Sequence, residues 1–233
     1  MYFTHAAPVW EAHPGLRAVA MIIENVRAVE SDGERLARLV PRIERRLDAG
    51  PESTMPEIAA WRDAFTRMGL KSTQYRSAAE ALLRRYRRER HMPPYHPLVD
   101  YLNFVSMAYA VPIAAYDCER IARGIVVCPA DGSEVYETFQ GEIEHPAPGE
   151  VVFADAEGCA HSRRWTFRQS ARSVVRPPTA RVLIVAEALH AGAGSDIGAL
   201  GDEVRAGLAA AGARVVASMA IGPADRLLEV PSS

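Results

Sequence analysis

Two arginine-rich segments contain the residues of this sequence with the clearest capacity for chemistry. Residues 84–90 hold five arginines in seven positions, and residues 163–176 interleave arginines with Trp165 and Phe167. A guanidinium group is a planar, always-charged fork that binds phosphate, and aromatic rings beside it can stack on bases. Each pattern also fits a structural role, as a solvated helix face for the first segment and an amphipathic strand burying Trp165 and Phe167 for the second. The candidates for RNA contacts are Arg84, Arg85, Arg87, Arg88, Arg163, Arg164 and Arg168.

Other motifs for catalysis, metal binding or cofactor binding are weak or incomplete. The sequence has no GxSxG, and its three cysteines lack the CxxC spacing of zinc or redox sites. Cys159 and His161 supply only two neighbouring ligands. Residues 192–198 read GxGxxxG, one residue longer than the dinucleotide fingerprint, and a loop that begins a helix explains them better. We therefore expect neither a metal nor a cofactor.

Composition sets the class of protein. The chain has 233 residues, 48% of them hydrophobic, and a formal net charge of −2, which excludes a disordered or collagen-like chain. No basic leader precedes an apolar stretch, and no apolar run is long enough to cross a membrane. Three cysteines without paired spacing are best read as reduced thiols. We expect a cytoplasmic protein with no membrane partner.

The elements that must position these residues change in character along the chain. Apolar residues recur at helical spacing in 55–67, 77–90 and 97–109. After Pro112 short strand-like runs alternate with turns, at 111–116, 123–128, 150–154 and 180–186. Residues 15–24 and 214–219 also read as strands, and we expect the mixed sheets to come from residues 111–187. Helices in the first half and strands in the second predict an α+β fold, with helices packed on mixed β-sheets in a single domain over residues 1–233.

Several motifs, taken together, resemble a known family. They are Trp61-Arg-Asp-Ala-Phe, Met68-Gly-Leu-Lys, Tyr75-Arg-Ser-Ala-Ala-Glu, Pro97-Leu-Val-Asp-Tyr-Leu-Asn-Phe, Val111-Pro-Ile-Ala-Ala-Tyr-Asp and Arg163-Arg-Trp. The set resembles the free-standing relatives of the B3/B4 domain, the editing module in the β subunit of bacterial phenylalanyl-tRNA synthetase. The resemblance covers roughly residues 55–190, with residues 1–54 and 191–233 as extensions of the same domain.

The resemblance implies a substrate pocket and its residues. The family's pocket asparagine falls on Asn103, its pocket glutamate falls on Glu187, and the synthetase's histidine falls on Ala114. If the resemblance holds, Asn103 and Glu187 converge on one cavity, and Ala114 widens its wall. The alternative is that Asn103 caps local backbone while Glu187 lies exposed at a strand end.

The resemblance implies an RNA (tRNA)-binding module whose partner is tRNA or aminoacyl-tRNA. A pocket shaped for a side chain rejects an analogue with one extra hydroxyl only about a hundredfold, so a second site must hydrolyse the mischarged ester. Hydrolysis in trans is the narrower hypothesis. Ala114 replaces the histidine of the synthetase, so the water or the terminal adenosine of the tRNA would have to be positioned without an imidazole at this place. A small-molecule-binding or metabolic protein using the same pocket is the alternative. The near-zero net charge favours this alternative, whereas the local arginine density favours RNA.

Overall fold

A computed structural model describes residues 1–231 of the chain. Within them lie six α-helices: α1 (Ala7–Ala12), α2 (Gly33–Asp48), α3 (Pro56–Arg67), α4 (Ala78–Glu89), α5 (Pro97–Tyr109) and α6 (Ala193–Ala210). The same residues form twelve strands: β1 (Tyr2–His5), β2 (Arg17–Glu24), β3 (Ile113–Asp117), β4 (Gly124–Pro129), β5 (Tyr136–Glu137), β6 (Ile143–Glu144), β7 (Val151–Asp155), β8 (Ala160–Arg163), β9 (Arg168–Gln169), β10 (Arg181–Ala188), β11 (Arg214–Ile221) and β12 (Leu227–Glu229).

The strands pair into two main sheets and a small ribbon. A four-stranded antiparallel sheet has the order β11-β2-β10-β3, and a six-stranded sheet has the order β12-β1-β4-β7-β8-β9. The six-stranded sheet is mixed, because β1 runs parallel to β4 while all other neighbouring strands of this sheet are antiparallel. Strands β5 and β6 form the ribbon. The α+β fold with helices on mixed sheets is confirmed.

The four-stranded sheet is the middle layer of the molecule. Its strands β2 and β10 are apolar and buried over nearly their whole length, as expected for strands covered on both faces. Along β2, Val19 and Met21 pack with residues of α2, α4, α5 and α6, whereas Ala20 and Ile22 pack with residues of the six-stranded sheet and α3. This alternation creates two apolar cores, one on each face of the sheet.

The three predicted helices are found within one residue of their expected ends, as α3, α4 and α5. Ser77 and Glu80 have the spacing of a capping box, which predicts a helix start there. The structure confirms this start, because the side chain of Ser77 accepts a hydrogen bond from the backbone N–H of Glu80. Thr54 and Glu57 have the same spacing, but the helix start that it predicts is wrong. Helix α3 begins at Pro56 after Met55, with no side-chain cap, and Thr54 instead donates to the carbonyl of Pro51.

The structure differs from two predictions about the strands. Residues 164–167 form the turn between β8 and β9 rather than an amphipathic strand, although Trp165 is buried as expected. The sheets also extend beyond residues 111–187. Strands β1 and β2 come from the N-terminal flank, and β11 and β12 come from the C-terminal flank. The pairing of these strands is non-local, so periodicity within the predicted core could not reveal it.

Candidate functional site

Glu187 and Ala114 line one small cavity between the two sheets. Strands β10 and β3 are antiparallel neighbours, with Val185 opposite Ala114, so alternate residues of the two strands share a face. The cavity has a volume of about 70 Å³, enough for a few water molecules. Its other walls include Tyr116, Phe153, Trp165, Phe167, Arg168 and Gln169.

The carboxylate of Glu187 is buried and paired, so the alternative of an exposed strand end is wrong. Glu187 is 2% exposed, and its Oε1 lies 2.6 Å from Nε2 of His5. The indole N–H of Trp165 donates to both carboxylate oxygens at 3.1 and 3.0 Å. Such partners are what a carboxylate needs to remain in a core.

The N-terminal segment supplies the other rings around this carboxylate. His5 ends β1 and contacts the ring of Trp10 edge-on, while His13 contacts the ring of Trp165 in the same way. Burial, with a smaller contribution from the charge of Arg67, lowers the pKa of His13 below its usual value. No motif of the sequence indicated His5. Its alternation with buried Phe3 along β1 was the available signal, because it places both side chains on one core face.

The backbone turn that carries Trp165 is unusual. Arg164 and Trp165 are consecutive non-glycine residues with φ angles of 48° and 57°. Left-handed backbone at such residues costs about 1 kcal/mol or more each and persists where the surroundings enforce it. Here the turn is fixed by the Trp165–Glu187 hydrogen bonds and by a backbone bond from Trp165 N–H to the Val151 carbonyl. The strained conformation of this turn therefore holds the indole of Trp165 against the carboxylate of Glu187.

Asn103 does not converge with Glu187, so that prediction is wrong. Helix α5 covers the other face of the four-stranded sheet, and Asn103 lies with Ile113 and Ala115, the residues of β3 that alternate with Ala114. It lines two different cavities there, of about 230 and 460 Å³. The larger one lies between α2, the C-terminal end of α4 and α5, and is lined by Leu36, Tyr86, His91, Met92, Asp100 and Phe104.

The arginines of α4 separate into two groups. Arg87 binds the buried carboxylate of Glu52 and donates to the carbonyls of Leu47 and Gly50, so it joins α4 to the end of α2. Arg84 binds Glu80, and Arg85 and Arg88 bind Glu89. The side chains of Arg84, Arg85 and Arg88 are 41, 45 and 73% exposed and that of Arg87 is 38% exposed, so the hydrogen bonds of Arg87, more than its burial, commit it to the fold.

Arg163 forms an ion pair in the core with Glu150. The residue is 6% exposed, its Nε and Nη2 donate to both oxygens of Glu150 at 2.8 and 3.0 Å, and Nη1 donates to Glu144. Burial opposes ionisation of Glu150, but the hydrogen bonds and charge of Arg163 outweigh it, so the pKa of Glu150 is lowered. Arg163 therefore has little capacity left for a phosphate.

The start of α4 and the β8–β9 turn are in contact, which brings an arginine cluster around Glu80 close to Arg164 and Arg168. The N–H of Ala78, in the first turn of α4, donates to the carbonyl of Thr166 in the β8–β9 turn. The guanidinium of Arg164 stacks 4.7 Å from the ring centre of Tyr75. The buried Glu80 collects Arg62, Arg76 and Arg84 on one oxygen, at 2.9, 3.6 and 2.9 Å. We term Arg62, Arg76, Arg84, Arg164 and Arg168 the arginine surface; Arg168 also lines the Glu187 cavity.

A buried serine, histidine and aspartate lie nearby and were not predicted. Nδ1 of His161 is 2.8 Å from the hydroxyl of Ser173, and its Nε2 is 3.1 Å from Oδ2 of Asp155. These residue types form catalytic triads, but His161 and Ser173 are fully buried here. Asp155 also accepts backbone N–H bonds from Ala122, Glu157 and Cys159. The arrangement therefore fixes the β7–β8 turn instead of presenting a nucleophile.

Asp155 should make stability depend on pH in the acid range. Burial raises the pKa of this carboxyl, but hydrogen bonds from His161, Ala122 and Cys159 outweigh burial and hold the pKa well below its usual range. A depressed folded-state pKa stabilises the protein above the unfolded value of about 3.9, and this contribution is lost as pH falls below it. In urea titrations, Asp155→Asn should therefore be less stable than wild type at pH 7, with the difference shrinking below about pH 4. The exposed Asp225→Asn serves as control, and a difference independent of pH would contradict the prediction.

A model of the B3/4 domain family matches residues 60–196 of the chain. The chain belongs to the B3/4 domain family. A search of curated proteins found no match to this B3/4 domain protein.

A solved structure resembles the fold. An N-terminal fragment of the phenylalanyl-tRNA synthetase β-subunit from Pyrococcus horikoshii matches with a TM-score of 0.52 and 10% sequence identity. The match covers 94% of this chain and 53% of the fragment, so this B3/4 domain protein spans about half of the fragment's length. The chain is thus a module related to a tRNA synthetase in fold. Among residues 1–231, no helix is long and apolar enough to cross a membrane.

Proposed function

We propose that this B3/4 domain protein binds tRNA, with the arginine surface on the phosphates and the Glu187 cavity beside the aminoacyl end. The observation that carries the proposal is that the first turn of α4 contacts the β8–β9 turn, and that Ala78, Phe167 and Arg168 line the same cavity as Ala114 and Glu187. The family relation supports the same partner, because the similar structure belongs to a tRNA synthetase subunit.

The electrostatics of the surface suit a polyanion. Three guanidinium groups converge on the single buried carboxylate of Glu80, so positive charge remains in excess there. The rings of Tyr75 and Phe167 contact each other edge-on at 5.2 Å and flank Arg164. Arginines interleaved with accessible aromatic rings combine phosphate contacts with base stacking.

Hydrolysis of a mischarged ester is the finer proposal. Ala114 offers no imidazole, so the terminal ribose hydroxyl of the tRNA assists the attacking water, and Glu187 reads a polar group of the amino acid. The cavity is small and His5 already pairs with Glu187. An aminoacyl group therefore enters only when the β8–β9 turn, with Phe167 and Arg168, moves outward. Incubation with a panel of mischarged tRNAs, following ester loss, tests this step.

The salt dependence of tRNA affinity tests the binding proposal. In the variant Arg76→Gln, Arg84→Gln, Arg164→Gln, the slope of log affinity against log salt should become shallower by about 0.7–0.9 for each lost phosphate contact. Arg62 is retained so that Glu80 keeps an ion-pair partner. Filter binding over a series of salt concentrations measures the slope.

A matched control removes the same charge elsewhere. Arg205, Arg214 and Arg226 are partly exposed and belong to α6, β11 and the segment before β12. Replacing all three with glutamine should leave the slope unchanged. Equal slopes in both triple variants would contradict the arginine surface, and undetectable tRNA binding at low salt would contradict the function.

A small-molecule-binding function is the second candidate, favoured by the cavity that Asn103 lines. Its volume of about 460 Å³ falls within the range of small-ligand sites, about 300–1,000 Å³. It combines an apolar wall with Asp100, Asn103 and His91 as polar groups. Thermal stabilisation by free amino acids or nucleosides, abolished by Asn103→Leu, together with no tRNA binding, would favour this candidate.

A further inference from the structure

Three metal-ligating side chains from separate elements meet beside the starts of α3 and α6 and do not line the Glu187 cavity. Glu57 lies in the first turn of α3, His190 follows β10, and Asp196 lies in the first turn of α6. Each can offer one ligand atom, and these atoms all lie within 4.8 Å of one another. The sequence did not predict a metal because Glu57 is more than 130 residues from the other two ligands, and His190 and Asp196 alone form no recognised metal-binding motif.

Two buried polar atoms of this cluster lack a hydrogen-bond partner among the described residues. They are Oε2 of Glu57 and Nδ1 of His190, on side chains that are 8 and 7% exposed. Buried polar atoms are almost always paired, so the free oxygen of Glu57 needs an explanation. Arg46 Nη1 lies 2.8 Å from the other oxygen, Oε1, and His190 Nε2 lies 2.9 Å from Oδ2 of Asp196. The two ring nitrogens of His190 point in different directions, so an ion shared with Asp196 would bind Nε2 in place of this hydrogen bond and leave Nδ1 outside the site.

We propose that Glu57, His190 and Asp196 bind one divalent transition-metal ion, with zinc as the best match. Imidazole suits zinc and the later first-row metals, and carboxylates complete such sites. Three protein ligands leave a fourth position for water. Asp196 is about one-third exposed and gives the ion a path from solvent.

The surroundings set the properties of the site. The two carboxylates balance the charge of the cation, while Arg46 orients Glu57 from outside, as an outer-shell partner does. The guanidinium and the positive end of α6 make binding weaker than at a four-ligand structural site. The bound ion links α3 to the β10–α6 connection, so it should raise thermal stability.

Metal titration of untagged, chelator-treated full-length protein tests the site. We expect one equivalent of Zn²⁺ to bind in competition with a chromophoric chelator, and one equivalent of Co²⁺ to give visible absorption bands of a low-coordinate site. Because imidazole ligates only when neutral, affinity should fall as pH is lowered. The melting temperature should rise with Zn²⁺.

Ligand variants make the test specific. His190→Asn and Asp196→Asn should each weaken Zn²⁺ binding by more than the 10–100-fold typical of outer-shell changes. His91→Asn, in the exposed loop after α4, should bind as wild type does. Glu57→Gln should also weaken binding; Asp196→Asn, a partly exposed position, keeps the test valid if Glu57→Gln fails to fold. Absence of a saturable equivalent in wild type, or equal affinity in the His190→Asn and His91→Asn proteins, would overturn the proposal.

Discussion

Replacing Arg163 with methionine is expected to lower the free energy of unfolding by about 3–5 kcal/mol. The substitution retains the apolar stem but leaves Glu150, a largely buried carboxylate, without the guanidinium that binds both its oxygens. Removing one partner of a buried pair leaves an uncompensated charge, which is the origin of the large cost. Urea denaturation at neutral pH measures it.

Arg168→Met provides the comparison from the same hairpin. Arg168 is about one-third exposed, and its nearest carboxylate atom, Oε1 of Glu144, is 3.8 Å away. Exposed ion pairs of this kind contribute about 1 kcal/mol or less. If Arg163→Met instead folds with wild-type stability and loses only tRNA affinity, Arg163 contacts RNA as its sequence pattern first indicated.

The helices could be predicted from sequence because their signals are local. Apolar spacing, the Ser77 cap and the prolines at the starts of α3 and α5 lie within each helix or beside it. The sheets could be predicted only in part. Strand β2 occupies the middle of the four-stranded sheet and pairs with β10 and β11, more than 150 residues later in the chain. Nothing within β2 specifies those partners.

The roles of the arginines show the same limit. The run 84–90 predicts a charged helix face, and α4 has one. Which arginine is committed to the fold depends on acids elsewhere: Glu52 binds Arg87, and Glu150 binds Arg163. The sequence pattern treats all seven candidates alike, whereas the structure distinguishes Arg163 by its burial and Arg87 by its bonds to Glu52 and to two carbonyls.

The cavity could be predicted in part for a related reason. The family resemblance assigned Ala114 and Glu187 to one pocket, and the two residues lie on adjacent strands. The position of Asn103 could not be predicted without knowing which face of the sheet α5 covers. That face is decided by the packing of the whole helix. The position of His5 depends on the parallel pairing of β1 with β4, which joins strands more than 100 residues apart in the chain and could not be predicted from either strand alone.

Glu187→Ala is expected to lower the free energy of unfolding by about 2–5 kcal/mol. The carboxylate is the hydrogen-bond partner of the buried indole N–H of Trp165 and of Nε2 of His5. Truncation leaves both groups unpaired in the core, and the strained turn at Arg164 and Trp165 loses one of its supports. Thermal and urea denaturation measure the loss.

Glu187→Gln separates stability from recognition. The amide oxygen still accepts from Trp165, and the amide group can still bond to His5, so we expect a loss of only about 1 kcal/mol. Under the proposed function, this variant binds tRNA with wild-type affinity but changes which aminoacyl esters are hydrolysed, because the carboxylate no longer reads the amino acid. Glu142→Gln, an exposed position near the β5–β6 ribbon, is the matched control. Ester loss identical in wild type and Glu187→Gln across the panel would exclude Glu187 from substrate recognition and leave it a role in the fold alone.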